Sequence, residues 1–239
     1  MKEETTPNTD AEEQTPHRGI KSYVVRSGRM TQAQRRGLED VFPRLGLTHE
    51  QGRLDLEALF GRRAPCVVEI GFGMGGSLFE QAMANPGTEF IGIEVHPPGV
   101  GKLLDDVDKA GLSNVRVYRE DALAVLDDCL PAESVDTLQL FFPDPWPKKR
   151  HHKRRIVQPA FLARVHRVLR PGGCFHMATD WQPYAEYMVE TMSEAPGFVT
   201  MACDGDYVPR PDFRPLTKFE TRGERLGHGV WDLMYQRIN

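Results

Sequence analysis

The chain has 239 residues, with 30 Lys and Arg against 34 Asp and Glu, and a formal net charge of -4. That length is enough for one well-buried α/β domain with extensions, and the negative balance excludes a globally basic nucleic-acid binder, so any such affinity must come from a local patch. Cys66, Cys129, Cys174 and Cys203 form no CxxC pair, which argues against a disulfide framework or zinc knuckle and fits a reducing cytosol.

Residues 1–20 carry Glu3, Glu4, Asp10, Glu12 and Glu13 among Thr, Pro and Asn. They lack an apolar pattern and are expected to form a disordered acidic tail, ahead of a single domain over 21–239. This polar start does not read as a signal peptide, and no apolar run nears the roughly 18 residues of a membrane span. The expectation is a soluble cytoplasmic protein with no membrane association. In 21–29, Lys21, Arg26 and Arg29 interleave with Tyr23, Val24 and Val25, either as a solvated arm or as one that meets RNA phosphates. Thr31 is placed to cap a helix running to about Leu45, with Leu38, Val41, Phe42 and Leu45 on one side.

Strands and helices then alternate. Strands are expected at 66–71, 90–94, 115–118, 135–142 and 174–179, and helices at 77–84, 99–110, 122–130, 159–169 and 183–192. Such alternation implies a mostly parallel sheet covered by helices on both faces. Two further apolar runs, 198–201 and 230–236, have no helix between them and are expected to pair antiparallel at the sheet edge. The fold class is therefore α/β, with a mostly parallel seven-stranded sheet and an antiparallel edge.

The first strand runs into Glu69-Ile70-Gly71-Phe72-Gly73-Met74-Gly75-Gly76 and a helix follows. Glycines allow a sharp turn and close approach of backbone to a ligand. The acid Glu94 follows the second strand, where dinucleotide folds bind ribose hydroxyls. Taken alone, a GxGxxG turn is weak, since it also serves as a packing turn without a ligand. Glu69, still on the strand, favours S-adenosylmethionine over NAD. A carboxylate there suits a ligand with an ammonium and a sulfonium and sits badly beside a pyrophosphate. Asp121 is placed to accept from an adenine amino group, to cap the helix at Ala122, or to do both.

The fourth strand ends in Phe141-Phe142-Pro143-Asp144-Pro145-Trp146-Pro147, followed by the cations Lys148, Lys149, Arg150, Lys153, Arg154 and Arg155 with no acid among them. Ligands of α/β proteins sit outside the carboxyl ends of the strands. An acid and a flat ring therefore stand at a strand end beside a phosphate-attracting segment, as an enzyme acting on a nucleic-acid base requires. Asp144 reads either as a site carboxylate or as a turn residue braced by prolines. Trp146 reads either as a platform for an extruded base or as a core residue closing the strand end. His151 and His152 read as phosphate neighbours rather than catalysts.

The strings EIGFGMG, GIEVHPPGVG, FFPDPWPKKRHHKRR, HMATDWQPYAE and TKFETRGERLGHGVWDL resemble the tRNA (guanine-N7)-methyltransferase family of the bacterial single-chain type, from about Lys21 to the C-terminus. The resemblance implies a class I S-adenosylmethionine-dependent methyltransferase fold, Rossmann-like in plan, and methyl transfer to N7 of guanine 46 in the tRNA variable loop. It implies that Glu69, Gly71, Gly73, Glu94, Asp121 and Asp144 bind the cofactor and that Asp144 is catalytic. By the same likeness Lys148, Asp180, Thr217, Lys218, Phe219 and Glu220 touch the substrate. Arg150, His151, His152, Lys153, Arg154 and Arg155 would touch RNA. tRNA is the implied partner, with no metal and no obligatory protein partner. Helix capping is the plainer reading of Asp180, and a capping box that of Thr217 with Glu220. Two other functions compete: methylation of an exocyclic base amine, which a (D/N)PP(Y/F/W) turn would support but Asp144-Pro145-Trp146 only approaches, and non-catalytic RNA binding on an old cofactor fold.

Overall fold

The computed structural model describes residues 21–23, 28–216, 220 and 229–239. Thr31 accepts from the backbone N–H of Gln34, whose side chain accepts from the Thr31 backbone in return. This reciprocal cap opens α1 (Gln32–Arg36), which continues through a π-helical stretch (Gly37–Val41) into α2 (Phe42–Leu45). The expected helix to Leu45 is thus present, with a widened turn in its middle. β1 (Gly46–Leu47) and α3 (Leu56–Phe60) follow. Asp55 caps α3 by accepting from Ala58 N at 3.0 Å, and Gly61 ends it at φ 74°.

The alternating units come next: β2 (Cys66–Ile70), α4 (Gly76–Ala84), β3 (Glu89–Ile93), α5 (Pro97–Lys109), β4 (Val115–Tyr118), α6 (Ala122–Ala124), β5 (Val135–Phe141), α7 (Pro159–Val168), β6 (Leu169–Thr179), α8 (Gln182–Ser193), β7 (Phe198–Thr200) and β8 (Trp231–Arg237). The sheet order is β1-β4-β3-β2-β5-β6-β8-β7. Pairing is parallel from β1 to β6, and β8 runs antiparallel to both β6 and β7. All seven expected strands are present. The eighth, β1, is only two residues paired with Val117 and Tyr118, too short to leave a periodic signal. α5 begins two residues earlier than expected because Pro97 and Pro98 fill its first turn, where their missing N–H groups cost nothing. β6 begins directly after α7. Leu169 already pairs with Val135, and the Pro171-Gly172-Gly173 stretch is absorbed as a register shift before Cys174 reaches Thr137.

Two apolar layers flank the sheet. One packs Val41, Phe72, Leu78, Phe90, Leu103, Leu104 and Val107 beneath α2, α4 and α5. The larger one packs Ile70, Leu126, Leu138, Phe161, Val165, Phe175 and Tyr184 beneath α6, α7 and α8. α5 also holds the N-terminal helix by backbone contact and by charge. A Cβ on Gly37 would lie 1.9 Å from Gly101 O, and Arg36 pairs with Asp105 at 2.6 Å and with Asp108. Strand order reverses at β2, between β3 and β5, and the carboxyl ends there frame a crevice of the kind that receives ligands in open α/β sheets. No helix among the described residues is long and apolar enough to cross a membrane.

Candidate active site

The glycine turn after β2 is held from both sides. Gly71 and Gly73 have φ of 73° and 58°, a region open to glycine at little cost. The Glu94 carboxylate accepts from Gly73 N at 2.9 Å, Val95 N at 2.7 Å and His96 N at 3.0 Å, so one side chain ties the turn to the entry of α5. Gly99 approaches from that helix, where an added Cβ would fall 1.9 Å from Gly73 O. A cavity of about 240 Å³ opens beside this turn, lined among others by Gly71, Ile93, Glu94, Asp121, Leu140, Phe141, Phe142 and Asp144.

Glu69 is 2% exposed, and its Oε2 has no hydrogen-bond partner among the described residues. Burial, helped by the nearby Glu94 charge, pushes its carboxyl up to about 8. A buried carboxyl oxygen without a partner is costly and is suited to meeting a cation. The donor set therefore fits a ligand with a positive end near Glu69 and hydrogen-bonding groups toward Glu94 and Asp121. Asp121 accepts from Leu123 N at 2.9 Å as the N-cap of α6, and burial, with the Asp121 carboxylate nearby, raises the Tyr23 hydroxyl. Ser22 and Tyr23 line the same cavity, a contribution from an arm whose sequence fits solvent or RNA alike.

The cavity's far wall is the end of β5. Phe142 and Trp146 have φ of 50° and 45°, a left-handed backbone that bulky residues rarely adopt and that collects at functional turns. Asp144, exposed, stands between them at the cavity rim. The Trp146 indole N–H donates to Ser22 O at 3.0 Å, Arg154 lies 4.7 Å over its ring and His151 meets it edge-on at 5.8 Å. The ring is thus already packed in a cluster, nearer the closing-residue reading than the base platform.

The basic run forms a 3-10 turn over Lys149–Arg154. Lys148, Lys149, Arg150 and Lys153 are exposed, while His151, His152 and Arg154 are half-buried. Burial and the surrounding cations keep the His151 ring below its ordinary value and favour its neutral form. Arg155 is set apart from these. It is 5% exposed, donates from Nε to Pro145 O at 3.0 Å, and lies 4.9 and 4.6 Å over the Tyr184 and Tyr187 rings. Its guanidinium thus anchors the run to the Asp144 turn and to α8.

Asp180 follows β6, one strand over from Asp144, and is exposed. It does not cap α8, since the N-cap position is Trp181. Thr217, Lys218 and Phe219 lie outside the described residues. Glu220 is described: it is 2% exposed and pairs with Arg214 at 2.6 Å. Arg214, fully buried, also grips Asp232 with Nε and Nη2 at 2.7 and 2.8 Å, and His176 Nε2 meets the same carboxylate at 2.8 Å. Burial pushes the Asp232 carboxyl upward, but hydrogen bonds from His176 and Arg214 outweigh it and hold the group below its usual range. Burial lowers His176, with the Asp232 bond opposing in part. Nothing in the sequence pattern singled out Arg214, because an isolated basic residue in an irregular segment carries no pairing signal, and His176 and Asp232 fell within the quoted strings without a role of their own.

Comparison with known proteins gives this crevice its setting. A family model described as putative methyltransferase matches residues 63–233. The tRNA (guanine-N(7)-)-methyltransferase of Chromohalobacter salexigens is 69% identical over 237 residues, covering 98% of this chain and 96% of that protein. The chain belongs to the tRNA (guanine-N(7)-)-methyltransferase family. A Pseudomonas putida member is 59% identical over 98% of this chain and 97% of its own length. Among solved structures, the 16S rRNA methyltransferase KamB superposes with a TM-score of 0.57 at 20% identity, over 77% of this chain and 93% of that one. The antibiotic-resistance methyltransferase Kmr gives 0.54 at 18% identity, over 81% and 94%. These distant structures share the class I methyltransferase fold with this tRNA (guanine-N(7)-)-methyltransferase family member.

Proposed function

We propose that the chain methylates N7 of guanine 46 in the variable loop of tRNA in the cytoplasm, through a single domain from residue 21 onward, with Asp144 beside the reacting base. Family membership carries the coarser statement: the protein is an S-adenosylmethionine-dependent tRNA (guanine-N(7)-)-methyltransferase. When bound, the cofactor supplies a methyl group on a sulfonium. In this reading Glu69 faces the ligand's positive end, Glu94 and Asp121 accept its hydroxyl and amino hydrogens, and the glycine turn lets the backbone come close. Leu140, Phe141 and Phe142 give the cavity an apolar wall that excludes water.

Guanine N7 has a free lone pair and no proton to remove, so the chain need not supply a general base. What it must supply is in-line placement and compensation for the positive charge that grows on the ring. Asp144, at the rim between the cavity and the basic run, suits the second task. It equally suits acceptance from guanine N1–H and the exocyclic amine. Lys148 and Asp180 flank it as substrate contacts, together with 217–220, and the exposed cations of 149–154 meet the RNA backbone. Incubating bulk tRNA with labelled cofactor should yield N7-methylguanosine on nucleoside analysis, and alkaline scission at the modified nucleotide should map it to position 46. An exocyclic N-methylguanosine, stable to alkali, would sink this reading.

Two consequences concern the cofactor pocket. Because Glu94 accepts three backbone N–H groups, Glu94→Gln replaces an acceptor by a donor and is expected to weaken S-adenosylmethionine by about 1.5–3 kcal/mol, the scale of hydrogen bonds to a charged group. Unaltered calorimetric affinity in a folded variant would remove Glu94 from the site. Glu69, with a carboxyl near 8, is mostly protonated at neutral pH in the free protein. A cation beside it favours the carboxylate, so binding at neutral pH should release close to one proton, and affinity should rise with pH and level off near 8. Calorimetry in buffers of different ionisation enthalpy reads the release directly, and a buffer-independent enthalpy would mean that Glu69 meets no cation. In the free protein the sign is opposite. Between the ordinary carboxyl value and about 8 the folded state holds a proton that the unfolded chain has lost, so stability falls as pH rises through that window.

A further inference from the structure

Arg214 is 0% exposed, an unusual place for a guanidinium, and lies in the irregular segment between β7 and β8. A buried charge persists only when its partners and hydrogen bonds are in place. Here the partners of Nε and Nη2 come from separate parts of the chain, while Nη1 is buried with no hydrogen-bond partner among the described residues. Asp232, from β8, takes two of its hydrogens, and Glu220 takes another at 2.6 Å. The guanidinium also stands 5.8 Å from the ring centroids of Phe141 and Phe142, the last residue of β5 and the one after it. Those two rings line the cavity two and three positions before Asp144. His176 braces the cluster from β6: it meets Asp232 at 2.8 Å and the Phe141 ring edge-on at 4.9 Å. One side chain therefore joins Glu220, the antiparallel strand β8 and the aromatic wall behind Asp144.

We propose that Arg214 is a positioning residue for methyl transfer, whose planar fork fixes Glu220 relative to the Asp144 turn across the carboxyl ends of β5 and β6 and the amino end of β8. The inference rests on the reading that 217–220 and Asp144 face the substrate. A lysine keeps the charge and loses the fork, so it can neutralise the two carboxylates but cannot hold both in fixed geometry. Displacements of about an ångström near reacting groups cost on the order of a hundredfold in rate. They do so without touching Glu69, Glu94 or Asp121.

The test is a double-mutant cycle of Arg214→Lys and Glu220→Gln, with kcat and KM for tRNA, cofactor affinity and thermal unfolding each measured. Each single variant should lower kcat/KM for tRNA by about tenfold or more, with S-adenosylmethionine affinity within twofold and the protein folded at the assay temperature. The double variant should be no worse than the poorer single one. If Arg214→Lys turns over normally while Glu220→Gln does not, the positioning role fails and the substrate reading of the segment stands. If Glu220→Gln is normal, that reading fails and takes the proposal with it. Multiplying effects would also overturn it. Should Arg214→Lys not fold, Asp232→Asn breaks the same link from the other side, and the same pattern with Glu220→Gln is required of it.

Discussion

Asp144→Asn is expected to lower kcat by about ten- to a thousandfold, the range of one preorganised electrostatic interaction, while tRNA affinity changes little. The substitution keeps size, removes the charge and turns one carboxylate acceptor into an amide donor, so a loss confined to kcat reports the interaction that grows toward the transition state, whereas lost acceptance from the guanine edge would also raise KM for tRNA. Asp144 borders the cofactor cavity, so the comparison must be made at saturating S-adenosylmethionine, with cofactor affinity measured apart. Because N7 presents no proton before attack, the loss is expected to reflect the missing charge rather than a missing general base. Normal turnover at saturating cofactor and tRNA would return Asp144 to the status of a turn residue held between two prolines.

The basic run should separate into two kinds of residue. Replacing the exposed Lys149, Arg150 and Lys153 together by alanine is expected to lower the slope of log affinity against log salt by about two to three units, one for each phosphate no longer neutralised, and to cost orders of magnitude in tRNA affinity at low salt. Cofactor affinity should stay put. Arg155→Ala should behave otherwise. Its guanidinium is stacked on Tyr184 and Tyr187 and bonded to Pro145 O, so its removal should lower the melting temperature and leave the salt slope nearly unchanged. A drop of a full unit in slope at Arg155, with stability intact, would mean that it reaches RNA directly.

The distinction between Arg155 and its neighbours marks where sequence stops being informative. Six cations in a row of eight look alike as letters, and only the packing of α8 against the turn decides that one of them is buried. The alternating strands were legible because each is an apolar run bounded by turn residues, and β1 was not, because two residues carry no period. Glu94 was legible as an acid at a strand end, but its task of accepting three backbone N–H groups depends on how closely the glycine turn and α5 approach. Trp146 could be read either way from the chain, and its bond to Ser22 depends on a segment 124 residues away. Arg214 could not be found at all, since it lies in an irregular segment and its burial against Asp232, Glu220 and the Phe141 and Phe142 rings leaves no periodic mark.

The glycines of α5 set a limit on how far this protein can be trimmed. Gly99 presses on the carbonyl of Gly73, while Gly101, two residues on, presses on the carbonyl of Gln34, where an added Cβ would fall 2.1 Å from the oxygen. The helix is wedged between the cofactor turn and the N-terminal helix, backbone against backbone, with no side chain between them to absorb a shift. A chain beginning at β2 would keep Glu69, Glu94, Asp121, Asp144 and the basic run, yet it would lose Ser22 and Tyr23 from the cavity wall and the buttress that stops α5 from drifting outward. It should therefore fail as a minimal enzyme even though its site carboxylates and cations remain.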